Sequence, residues 1–343
     1  MNPDSVETVS RVPHGGEPDR SLLDFSANTN PRIPDRVIDV YADALETARR
    51  YPDDAYPDYR AAVSDYVGCS ENDVIPTPGG LAAIRLTLEA CLEPGETVLV
   101  PAPSFGEYAR EVRLQGATPR FVPHDELCEV DDVTLLEASL VIICTPNNPT
   151  GELTPRSRVE TFADRCRAAE TTLLVDEAFL GFTDEPSMAG HDDHVVVARS
   201  LTKLFGLPGL RAGFAVATGE IRERLEIARR AWNLGTPTAA VGAHCMRQTE
   251  FVRGTRREVA EERERMTDTL AADDRYEVTP SDAPFLLLEV IGDEDVDSLC
   301  RRTREAGVVI RDATSFRGLD SHVRVAIKDR ASNDRLLEVL TDG

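Results

Sequence analysis

The chain runs to 343 residues, 41% of them hydrophobic, enough for one large or two medium domains with a substantial core. Against 38 Lys and Arg stand 61 Asp and Glu, a formal charge of −23, dispersed as pairs such as Asp53–Asp54, Asp131–Asp132, Asp192–Asp193 and Asp273–Asp274. So acidic a surface disfavours nucleic acid and anionic membrane as partners, and it suits a protein adapted to high salt. No stretch approaches a membrane span, and the opening MNPDSVETVS has no charged-then-apolar leader. The cysteines are scattered and never form a C-x-x-C. A cytoplasmic chain with free thiols and no metal site is the expectation.

In chain order, residues 1–35 read as an N-terminal arm. Residues 36–236 alternate short apolar runs with helical patterns. Strands are expected at 97–101, 119–123, 140–146, 172–176, 195–199 and 212–217, and helices at 81–91, 107–115, 156–169 and 220–230. Near-continuous Val, Ile and Leu in the strands fits a mostly parallel sheet covered on both faces. Residues 237–343 change character: a long Arg/Glu helix over 250–272, strands at 285–290, 308–311 and 323–327, and a terminal helix over 332–340. The expectation is an α/β large domain followed by a smaller α+β domain.

Only two lysines are present, Lys203 and Lys328. Arginine replaces lysine in most surface roles but cannot form a Schiff base, so Lys203 is the first candidate for covalent chemistry. Four local patterns accompany it. Thr77-Pro-Gly-Gly-Leu81 sets glycines before a helix, whose free amides can hold a phosphate; alone it is no more than a turn. Cys144-Thr-Pro-Asn-Asn-Pro-Thr-Gly151 follows an apolar strand, where ligands of open α/β sheets gather, although a simple turn would look the same. Asp176 and Glu177 form an acid pair at a strand end, expected to point into the same crevice, or else to cap a helix. Ser200-Leu-Thr-Lys203 with Arg211 can converge hydroxyls and a guanidinium on a phosphate beside an amine. His191-Asp-Asp-His194 has the look of a metal pair but reads as solvated charge.

In this order the four patterns resemble the fold-type-I pyridoxal-phosphate enzymes, the aspartate aminotransferase superfamily, nearly end to end. The resemblance implies that fold, with a seven-stranded sheet, and pyridoxal 5′-phosphate as cofactor. It implies Lys203 as the attachment point, Asp176 on the pyridinium nitrogen, Asn148 on the ring oxygen and Tyr108 stacked on the ring. Ser200, Thr202, Arg211 and the amides of Gly79, Gly80 and Leu81 would bind the phosphate. Two departures stand out: Gly80 and Leu81 offer no hydroxyl, and Phe179 replaces a tyrosine found in many aminotransferases.

The ends of the chain narrow the resemblance. His14-Gly-Gly16, the segment Leu23–Pro31, and Val309–Asp320 leading into Val323–Ile327 look like the threonine-phosphate decarboxylases of cobalamin biosynthesis in a haloarchaeal-like version. Histidinol-phosphate aminotransferases share the central motifs and remain the alternative; a generic nucleotide-binding α/β module is a more distant one. The resemblance implies a small phosphorylated amino-acid substrate held by His14, Asn28, Arg311 and Arg324, and a homodimer. Ala231-Trp-Asn-Leu-Gly235 departs from the P-W-x-V-N of such decarboxylases.

Overall fold

A computed structural model describes residues 1–341. The N-terminal region holds α1 (Pro3–Val6), β1 (Leu23–Asp24), α2 (Val37–Thr47) and α3 (Pro57–Val67). Then come β2 (Val74–Thr77), α4 (Gly80–Cys91), β3 (Thr97–Ala102), α5 (Glu107–Leu114), β4 (Thr118–Pro123) and α6 (Asp132–Leu136). They are followed by β5 (Leu140–Cys144), α7 (Arg156–Ala168), β6 (Thr172–Asp176), β7 (Val195–Ser200), β8 (Gly213–Val216) and α8 (Gly219–Ala228). The rest comprises α9 (Thr236–Met246), α10 (Thr249–Ala271), β9 (Tyr276–Val278), β10 (Phe285–Val290) and α11 (Val296–Glu305). It closes with β11 (Val308–Val309), β12 (Arg311–Asp312), β13 (His322–Ala326) and α12 (Arg330–Thr341).

Seven strands form one sheet in the order β2-β8-β7-β6-β5-β3-β4. Only β8 runs against its neighbours; the other pairings are parallel. Buried side chains cover both faces. Residues of α3, α7 and α9 fill one, and residues of α4, α5 and α8 fill the other, as the Val/Ile/Leu-rich strands require. The chain leaves β3 for β4 on one side and returns to β5 on the other, which makes the β3–β5 gap the switch point of the sheet. There the two strands pair only at Val98–Leu140 and Leu99–Val141. Their C-terminal halves part, opening the crevice in which such sheets bind ligands.

A second, antiparallel sheet has the order β12-β13-β10-β9, and α10, α11 and α12 contribute to its core. The N-terminal arm is tied to it. Leu23 and Asp24 pair in parallel with Val308 and Val309, Phe25 N–H donates to Val309 O at 2.7 Å, and Ala326 N–H donates to Phe25 O at 2.9 Å. The expected strand over 308–311 is in fact two strands in different sheets, β11 with the arm and β12 with β13. Several elements were not expected from the sequence, α2 and α3 among them. Three of these carry no readable period: β2 is four residues with Pro76 inside it, β9 is three, and α9 is a run of small and apolar residues without a polar face. α2 has apolar residues at helical spacing, but on its outer face.

Candidate active site

A cavity of about 360 Å³ lies over the crevice. The first turn of α5 after β3 brings Tyr108 to it, the loops after β5 and β7 bring Asn148 and Lys203, and the end of β6 brings Asp176; the arm brings His14 and Asn28, and the second sheet brings Arg311 and Arg324. Every site residue expected from the sequence lines it except Gly79, and the expected role of its amide in phosphate binding is corrected: that N–H is turned back to donate to Thr77 O at 2.8 Å.

Lys203 has no hydrogen-bond or ion-pair partner for its amine among the described residues. Burial, then the nearby charges of Arg324 and Arg211, lower its pKa to about 8, against a smaller opposing pull from Asp176. Its backbone is pinned by the arm: Asn30 N–H donates to Lys203 O at 3.0 Å, and Asn30 Nδ2 donates to Leu204 O at 2.9 Å and Thr255 Oγ1 at 3.2 Å.

Asp176 ends β6. Burial raises its pKa, opposed by hydrogen bonds from the Tyr108 hydroxyl (2.5 Å, Oδ2) and the Ala178 amide (2.9 Å, Oδ1) and by the Lys203 charge. Tyr108, expected as a platform for a ring, thus also orients the carboxylate. Glu177 corrects the paired-acid expectation. Neighbours at a strand end point to opposite faces, and Glu177 turns away from the cavity to accept from Ser187 Oγ at 2.6 Å and Met188 N–H at 2.7 Å.

The phosphate cradle is built from close backbone approach. Gly79 has φ +97°, and a Cβ there would come within 2.8 Å of Arg211 Nη2. A Cβ on Gly213 would reach 2.6 Å from Gly79 C. Both positions therefore need glycine. Gly79 caps α4 without a side-chain hydrogen bond, so the first-turn amides at Gly80 and Leu81 stay available to an anion. The Ser200 and Thr202 hydroxyls stand 2.7 Å apart beside them.

At the other end, Arg311 of β12 and Arg324 of β13 are register partners in an antiparallel ladder, so both side chains leave the same face. Arg324 is buried, and burial followed by the Arg311 charge pushes its pKa well below the ordinary value. Its Nη1 donates to Asn148 Oδ1 and its Nη2 to Ser26 O at 3.1 Å, while Nε is buried without a partner. Asn28 Oδ1 is likewise buried and unpartnered. Arg311 donates to Ser315 Oγ at 2.7 Å and to Pro13 O at 3.2 Å. Phe316 lies under both guanidiniums, 5.5 Å from that of Arg311 and 5.7 Å from that of Arg324. The sequence reading missed Asn30, Ser315 and Phe316; the last two follow Arg311 within the very segment that carried the resemblance. None of residues 231–235 lines the cavity.

Residues 20–340 match the family model described as aminotransferase class I and II. The chain belongs to this family. It is 33% identical to the threonine-phosphate decarboxylase of Salmonella typhimurium, covering 95% of this chain and 92% of that one. It is 32% identical to histidinol-phosphate aminotransferase 2 of Archaeoglobus fulgidus, covering 95% and 94%. The solved histidinol-phosphate aminotransferase of Clostridium acetobutylicum, 26% identical, superposes with a TM-score of 0.85 over 94% of this chain and 98% of that one.

The cofactor is pyridoxal 5′-phosphate, and the residues present fit it. An amine of lowered pKa, a buried carboxylate, and a helix start with open amides flanked by two hydroxyls and Arg211 surround one cavity. No described helix is long and apolar enough to cross a membrane.

Proposed function

We propose that this member of the family decarboxylates O-phospho-L-threonine to (R)-1-aminopropan-2-ol phosphate in cobalamin biosynthesis. The observation that carries the reading is the Arg311–Arg324 pair, two cations directly opposed across a ladder with His14 at the same cavity. Like charges so placed destabilise a sheet. A carboxylate brings one negative charge against them, whereas a phosphate monoester brings about −1.5 to −2 and three acceptor oxygens. A phosphorylated ligand is therefore the better counterpart.

Bound pyridoxal phosphate supplies the electron sink for the pair left when a bond to the substrate's α-carbon breaks. The chain's residues select the bond. Arg311, Arg324 and His14 clamp the phosphate and fix the pose, and Asn28 adds its amide. With those cations engaged and Arg211 on the cofactor side, no further guanidinium lines the cavity for the carboxylate. An unpaired, desolvated carboxylate is the group placed to leave. Lys203, with a pKa near 8, is the base and acid at hand to return a proton to the α-carbon.

The test is direct. The holoprotein should release carbon dioxide from O-phospho-L-threonine in step with amine formation. Amino transfer from histidinol phosphate to 2-oxoglutarate without carbon dioxide would establish the alternative instead, which the same clamp and the Archaeoglobus relative also support. We further propose a cytoplasmic, salt-adapted homodimer, on the strength of the −23 charge and an apolar stripe on α2.

A further inference from the structure

Glu107, the first residue of α5, has no part in the chemistry described so far. Its side chain is 7% exposed, and His14 Nε2 donates to its Oε1 at 2.9 Å. Arg110 Nη1 reaches its Oε2 at 3.2 Å and Glu111 Oε1 at 2.8 Å. The fully buried Glu111 in turn accepts from Arg85 Nε at 2.8 Å and Nη2 at 2.5 Å. Arg85 belongs to α4, the helix whose start forms the phosphate cradle. A ladder of alternating charge thus runs from α4 through α5 and ends on an imidazole at the cavity. Helix stability alone does not call for that last rung, because Arg110 and the helix dipole already compensate the Glu107 carboxylate. The second oxygen is spent on a ring that is 49% exposed and otherwise free to turn. Phe105 lies beside that ring, 5.8 Å between centroids, and Arg311 Nη2 donates to the carbonyl of the adjoining Pro13.

We infer that Glu107 positions His14, accepting from Nε2–H so that Nδ1–H is the donor turned to the substrate's phosphate, and so makes the site selective for phosphorylated over unphosphorylated substrate. The inference rests on the reading of His14 as a phosphate ligand. A carboxylate only accepts, so the Nε2 hydrogen bond decides which ring nitrogen remains for a ligand. Donation from Nδ1 to a phosphate then requires the doubly protonated ring, and Glu107 supplies the balancing negative charge.

Binding to the holoprotein, followed through the visible spectrum of the cofactor, separates the possibilities with O-phospho-L-threonine and L-threonine as probes. Glu107→Gln, which keeps the shape and removes the charge, should weaken O-phospho-L-threonine by about tenfold or more, the scale of a charge-assisted hydrogen bond. L-Threonine should change by less than about threefold, which also reports an intact fold. Glu107→Asp, which keeps the charge but shortens the reach, should show a smaller loss with the same selectivity. In a His14→Ala background Glu107→Gln should cost nothing more. Equal losses for the two ligands, or a loss that persists without His14, would overturn the positioning role. A wild-type protein that does not prefer the phosphorylated ligand would strike at the phosphate reading itself.

Discussion

The surroundings of the two lysines explain why only one is suited to chemistry. Burial lowers the Lys328 pKa as well, but Asp24 and Asp329 oppose that shift, and its ammonium lies 5.8 Å from the Phe25 ring centroid, outside the cavity lined by Lys203. Lys203 meets two guanidiniums and one carboxylate, and its pKa falls to about 8. A lowered lysine pKa means that the neutral amine appears as pH rises through that value, more than two units sooner than for a free lysine at about 10.4. Capture of pyridoxal phosphate by the apo protein should therefore accelerate up to about pH 8 and level off above it. Borohydride reduction followed by peptide mass analysis should place the cofactor on Lys203 and leave Lys328 unmodified; Lys203→Arg should retain none covalently. A capture rate still climbing steeply at pH 10 would show that the cavity does not depress the amine.

At the scale of elements, the β12–β13 ladder sets stability against ligand affinity. Arg311→Gln removes one of two opposed charges and keeps the stem with a neutral amide, giving up the Nη2 contacts to Ser315 and Pro13. Without ligand, urea unfolding should find this variant as stable as wild type or up to about 1 kcal/mol more so. Inorganic phosphate should stabilise the wild type more than the variant. A clearly less stable variant in the absence of ligand would mean that Arg311 is chiefly structural. The same ladder marks what the sequence could reveal. Strands with unbroken Val, Ile and Leu, such as β5 and β6, were legible because burial on both faces leaves a run, and the glycine- and hydroxyl-bearing loops at their ends fall where that topology puts ligands. The opposition of Arg311 to Arg324 was not legible, since register between strands a dozen residues apart depends on the turn and on where β11 leaves for another sheet. Asn30 escaped notice because an asparagine before a proline looks like any turn, and its partners at Leu204 and Thr255 are distant in sequence. The direction of Glu177 depended on one residue of strand phase. Glu107 was hidden because a glutamate at a helix start is ordinary until the arm brings His14 to it.

The whole molecule must reconcile its charge with an exposed apolar surface. Ile38, Tyr41 and Leu45 lie on the outer face of α2 at 74%, 43% and 51% exposure, spaced to share one stripe. Tyr51 stacks on Trp232 at 4.5 Å between ring centroids, with both rings exposed. Such surface is out of place on so acidic a chain unless, as proposed, a second copy covers it. Yet two chains of formal charge −23 repel each other, so apolar attraction and charge repulsion oppose one another at that contact. Raising salt from about 0.1 M to 1 M shortens the screening length from about 10 Å to about 3 Å, which weakens the repulsion, while the apolar term is left intact. Dimerisation followed by sedimentation or light scattering should therefore strengthen with potassium chloride, and thermal stability should rise with it. Ile38→Glu, which adds a charge to the stripe without touching the core side of α2, should keep the chain monomeric at every salt concentration and leave its circular dichroism unchanged. Dimerisation that weakens with salt would mean that ion pairs, not the apolar stripe, hold the copies together, and an Ile38→Glu chain that still dimerises would move the contact elsewhere.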